Sequence, residues 1–195
     1  VEKRLIAIQN LVKEVPSEAW QTLVNLLPSH RQHSSGSHKP RWRMEIPDDA
    51  NKNMPVKDYW DQVSSYTNLA LQIADVDADR LVTLINSMGK MRPNIFDISL
   101  VHLESDAVLN LPEEERSKVW SALVRFTARH RHYSDADWAL EEDLLTRIDE
   151  VSAKLTPKDP QNLYRRLFAD HDFDLYDEEE GDDWREKEKR LTERR

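Results

Sequence analysis

Apolar residues recur at intervals of three and four from Leu5 to Phe168, and no stretch alternates in period two between Gly or Asn turns. Because 3.6 residues complete a helical turn, that spacing lines one face of a helix and cannot line one face of a strand. The expectation is an all-α protein. Leu5, Ile8, Leu11 and Val12 form a first stripe; Pro16 stops it, and Trp20, Leu23, Val24 and Leu27 continue on a second helix that ends at Pro28. Residues 1–27 therefore read as a helix hairpin.

Three further hairpins follow the same grammar. One runs from Pro55 through Trp60, Val63, Leu69 and Ile73, turns at Asp75 to Asp77, and continues through Leu81, Leu84 and Ile85. The next runs from Ile95 through Leu100, Leu103 and Leu109, turns at Leu111 and Pro112, and continues through Val119, Trp120, Leu123 and Phe126. The last opens at Trp138, passes Leu144, Ile148, Val151 and Leu155, turns between Thr156 and Pro160, and closes on Leu163, Leu167 and Phe168. Residues 17–34 also match residues 117–134 without a gap: Ser17, Trp20, Leu23, Val24, His30, Arg31 and Ser34 recur as Ser117, Trp120, Leu123, Val124, His130, Arg131 and Ser134. A hairpin has one apolar face that only a neighbour can cover, so stacked antiparallel hairpins are expected, with an irregular helical bundle as the alternative. Trp20, Leu23, Leu84, Trp120, Leu123 and Ile148 are the predicted buried residues, and Trp20, Trp60, Trp120 and Trp138 fill spaces between hairpins.

Composition removes several function classes. With no cysteine there can be no disulfide, thiolate nucleophile or thiolate metal site, and a reducing cytoplasm is the expected location. The three glycines, Gly36, Gly89 and Gly181, are far apart, so no phosphate-cradling or dinucleotide-binding loop can be written. No apolar run approaches the roughly 20 residues that span a bilayer. Residues 1–100 carry 12 basic and 12 acidic side chains and residues 101–195 carry 16 and 25, a balance that disfavours duplex binding.

Two segments break the helical pattern. Residues 28–54 hold Ser34, Ser35, Gly36, Ser37, Pro40, Pro47, Asn51 and Asn53 and form a long connection. Residues 170–183 form an acidic linker, and residues 184–195 begin a charged helix. With residues 1–169 as the helical-repeat domain, and periodicity running to both ends, the chain is expected to be a segment of a longer polypeptide.

The first irregular segment holds the candidate site. From Pro28 to Arg43 there is no acid, and Arg31, His38, Lys39, Arg41, Trp42 and Arg43 combine cations with an indole. Trp and Arg are enriched at protein-binding hot spots, and a protein partner is the expectation. An indole between guanidiniums can also stack single-stranded bases, and Trp42 can instead fold back as a staple on the hairpins. His30, His33 and His38 raise a metal-dependent enzyme as a further alternative, but no His-Glu-x-x-His helix exists and His102 with Glu104 has no cysteine to complete a deaminase set. His130, Arg131 and His132 read as a cationic helix C-terminus. Asp170, Asp172 and Asp174 have the spacing of a calcium loop, yet Leu175 stands where that loop turns on Gly and Gly181 where it needs Glu. No spacing singles out a catalytic set, so neither enzyme activity, cofactor nor metal is expected.

The hairpins with Trp-x-x-Leu second helices resemble tetratricopeptide or HEAT-type repeats. The segment His38 to Trp42 after Leu26, Leu27 and Pro28, with Asn162 to Phe168 before the acidic stretch, is similar to helical regions of large bacterial multidomain proteins, some of them suspected phage-defence proteins. That resemblance implies a non-catalytic scaffold or sensor attached to further domains.

Overall fold

The computed structural model of the chain describes residues 2–28 and 55–164. Of these, 79% are helical and none is in a strand. Helix α1 (Glu2–Glu14) gives way at Val15 to α2 (Pro16–Asn25), whose proline occupies a first-turn position where a missing N–H leaves no bond unmade. Helix α3 (Val56–Ala74) and α4 (Ala78–Ser87) are joined by a tight turn in which Asp77 N–H donates to Ala74 O at 2.7 Å. Asp75 there has φ 45° and ψ −106°, close to the first central position of a type II′ turn, which favours glycine. Asp77 then caps α4, its Oδ1 accepting Arg80 N–H at 3.1 Å.

A 3₁₀ turn (Met88–Lys90) leads to α5 (Pro93–Leu103), again opened by proline. The short α6 (Asp106–Leu109) follows, with Ser105 Oγ accepting Val108 N–H at 3.5 Å. Then come α7 (Glu113–His132), α8 (Glu142–Leu155) and α9 (Pro160–Tyr164).

Helix α7 is central. Val119, Trp120, Leu123, Phe126, Thr127 and His130 are buried along it at three-and-four spacing. It packs extensively on α4, which buries Leu81, Leu84 and Ile85, and on α8, which buries Leu145, Ile148, Val151 and Leu155. Helix α3 is buried on more than one side because α2, α4 and α5 all pack on it.

Five of the six predicted core residues are buried: Leu23, Leu84, Trp120, Leu123 and Ile148. Trp20 is only half-buried: it packs against the edge of the core, and the Arg80 guanidinium lies over its ring, 5.3 Å from the centroid. The first helix of the third hairpin is not continuous: it stops at Glu104, and Ser105 starts α6. Nor is α7 its main partner, since α5 packs chiefly on α3, α6 and α8. Trp138 does not open the last hairpin's helix. Residues 133–141 form successive turns, with Ala136 N–H donating to Tyr133 O at 2.9 Å and Ala139 N–H to Ala136 O at 2.8 Å. In the matched segments, Leu23 and Leu123 are both fully buried, but α2 ends at Asn25 while the corresponding part of α7 continues to His132.

Candidate interaction site

The candidate residues Arg31, His38, Lys39, Arg41, Trp42 and Arg43 lie outside the described residues, as do the acidic segment 170–183 and residues 184–195. Both roots of the basic segment are described. On one side Leu27 and Pro28 are buried beneath the end of α2, and on the other Pro55 precedes α3. Since α2 packs on α3, the segment leaves and re-enters the fold at neighbouring helices. Its roots carry exposed apolar side chains: Leu26 is 37% and Val56 is 66% exposed.

Arginine over tryptophan is a recurrent local arrangement in the described residues. Besides Arg80 on Trp20, Arg92 at the start of α5 lies 4.6 Å from the Trp60 ring centroid, and Arg129 on α7 lies 5.3 Å from that of Trp138. All three tryptophans are half-buried, so each ring has one face available to a cation. Sequence reasoning placed these rings in the core and missed their cationic covers. No spacing signal could have found the first two, because Arg80 stands 60 residues beyond Trp20 and Arg92 32 residues beyond Trp60; Arg129 and Trp138 are nine residues apart but lie on either side of the end of α7.

The C-terminal end of α7 gathers a second concentration of such residues. Tyr133 is 47% exposed and its ring lies 5.8 Å from that of Trp138 and 4.6 Å from that of His132. Arg131 is held there by two carboxylates, Glu142 Oε1 at 2.6 Å and Asp149 Oδ2 at 2.7 Å. The bonds from Arg131 hold the Glu142 carboxyl below its usual range. His130 corrects the sequence reading of a cationic helix end: it is buried, and its Nδ1 accepts Leu140 N–H at 3.1 Å, which requires an unprotonated nitrogen.

The remaining polar residues with a sequence motif have structural partners. His102 Nε2 donates to Asp75 O at 2.9 Å, and Glu104 pairs with Lys154 at 2.7 Å. Among the described residues no group of three or more His, Asp or Glu is arranged to hold a metal ion, and no helix is long and apolar enough to cross a membrane. No protein-family model matches the chain, and no curated protein or solved structure is significantly similar to it.

Proposed function

We propose that this chain is a non-catalytic module of stacked helix hairpins, tetratricopeptide- or HEAT-like in construction, that binds another protein through its basic segment. The observation that carries this reading is the pattern of packing. Each extensive contact joins helices within one hairpin or in consecutive hairpins: α1 with α2, α2 with α3, α3 with α4 and α5, α4 with α7, α5 with α8, α7 with α8 and α9. Repeat arrays pack in that nearest-neighbour way and use their length as a recognition surface. Exposed Leu26 and Val56 at the roots of the segment offer apolar surface of the kind that the core of an interface buries.

The test compares Trp42→Ala with the double variant Arg41→Glu/Arg43→Glu in capture of a protein partner and in binding to single-stranded nucleic acid at physiological salt. A protein partner that buries Trp42 loses on the order of 2 kcal/mol or more on its truncation. Arg31, Lys39, Arg41 and Arg43 provide at most four phosphate contacts, so single-strand binding should be weak, with a log-log salt slope no steeper than about −3. Tight single-strand binding at physiological salt would overturn the protein-partner reading. Unchanged protein binding in both variants would leave the segment a structural staple, and stoichiometric zinc in the purified protein would favour the metal-dependent enzyme instead.

A further inference from the structure

The end of α7 carries a buried imidazole that the binding reading does not use. His130 is 5% exposed, with ring contacts to Phe126 at 4.5 Å and to Trp138 at 5.2 Å. Its Nδ1 accepts the backbone N–H of Leu140 at 3.1 Å, and a methyl group placed on Gly89 would stand 3.1 Å from its Nε2. A nitrogen that accepts carries no proton, so the ring is the neutral tautomer protonated on Nε2.

We propose that the His130 to Leu140 hydrogen bond is a proton-sensitive latch, holding the 133–141 segment and its Trp138 against α7 at neutral pH and releasing them in mild acid. Protonation turns Nδ1 into a donor, leaving two N–H groups face to face at hydrogen-bond distance. The imidazolium would also be desolvated among Phe126, Trp138 and Gly89.

The charges on the elements packed around the ring are of both signs. On α7 they are Arg129, stacked on Trp138, Arg131, engaged by Glu142 and Asp149 of α8, and the exposed His132. The 3₁₀ turn adds Lys90 beside Gly89. Within the segment, Asp135, Asp137 and Glu141 attract the proton, and all three are exposed to screening water. Burial and the loss of the Leu140 bond disfavour the charged ring, whereas an unfolded histidine takes its proton at about pH 6.5. The latch is complete above that pH and weakens as pH falls below it.

The experiment is an NMR titration of the intact chain from pH 8 to pH 5, following the His130 ring, the Leu140 amide and the Trp138 indole. The expected result is that the His130 ring, the Leu140 amide and the Trp138 indole shift at one common midpoint. Protection of the Leu140 amide from exchange, corrected for its intrinsic rate, should fall by about tenfold or more over the range. His130→Gln supplies a side-chain acceptor that does not titrate, and it should keep Leu140 protected at every pH. A His130 titration that leaves Leu140 unmoved, or a Leu140 transition that persists in His130→Gln, overturns the latch. If that variant does not fold, the wild-type titration decides alone.

Discussion

Among the described residues, Asp75 is held in a backbone conformation that side-chain-bearing residues rarely adopt. Its φ of 45° is the only positive value of a non-glycine residue among those described, and it is held there from both sides. Its own N–H donates to Leu71 O at 2.9 Å, and its carbonyl accepts His102 Nε2 at the same distance. Such a conformation costs an ordinary residue about 1–3 kcal/mol, and glycine avoids most of that while adding some freedom to the unfolded chain. Asp75→Gly should therefore raise stability by about 1 kcal/mol, read as a higher denaturant midpoint with an unchanged slope. A lower midpoint would mean that the aspartate side chain itself supports the turn. Spacing did identify Asp75 to Asp77 as a turn, as it identified Leu23, Leu123 and Ile148 as core, because both follow from where a stripe runs and stops. It did not reveal a strained φ or the arginine covers on Trp20 and Trp60, which depend on groups far along the chain, nor the cover on Trp138, which depends on how the chain turns after α7.

Among the elements, the short α9 is tied at its start to a carboxylate of α7. Glu113 Oε1 accepts the N–H groups of Lys158, at 2.7 Å, and Asp159 just ahead of α9, while Ser117 Oγ donates to Asn162 O at 3.4 Å. The Asp159 bond is the main reason the Glu113 carboxyl sits below its usual range; the Lys158 bond and the charges of Arg116 and Lys158 add to it. A depressed carboxyl contributes its stability above the unfolded value of about 4.3 and loses it as pH falls through the lower folded value. Exchange protection of the Lys158 and Asp159 amides should thus hold at neutral pH and disappear in strong acid, and Glu113→Ala should remove it at pH 7. Protection that survives that substitution would show that packing alone secures α9. Breaks at Pro16, at Asp77 and between Thr156 and Pro160 were legible because prolines and capping aspartates act locally. The misplacement of Trp138 has an equally physical cause: apolar spacing from Trp138 to Leu144 fits a helix, but Leu140 N–H is taken by His130 and α8 must wait until Glu142.

At the scale of the whole molecule, stacked hairpins and a single-core bundle predict different responses to the same kind of damage. Leu23 in α2 and Leu123 in α7 are both fully buried, and truncating either to alanine costs about 3 kcal/mol locally. In a nearest-neighbour stack, Leu23→Ala should open α1 and α2 early and leave the protection of α7 and α8 in place, whereas Leu123→Ala should lower the main transition. Equal loss of protection everywhere in both variants would favour the bundle. The helical content was legible in the sequence, while the identity of neighbours was not, since a stripe declares that a face is covered and not by which helix. For the basic segment the sequence supplies composition alone, and its residues lie outside those described. The three arginine-on-tryptophan contacts bear on elasticity, because each joins two separate elements: α2 to α4, α3 to the start of α5, and α7 to the turns that follow it. A guanidinium can glide across an aromatic face and keep most of its attraction, unlike a hydrogen bond that fails when misaligned. Under bending or tension the joints between these elements should yield by sliding while the helices remain stiff, giving the molecule the compliance of a spring rather than the brittleness of a bolted frame.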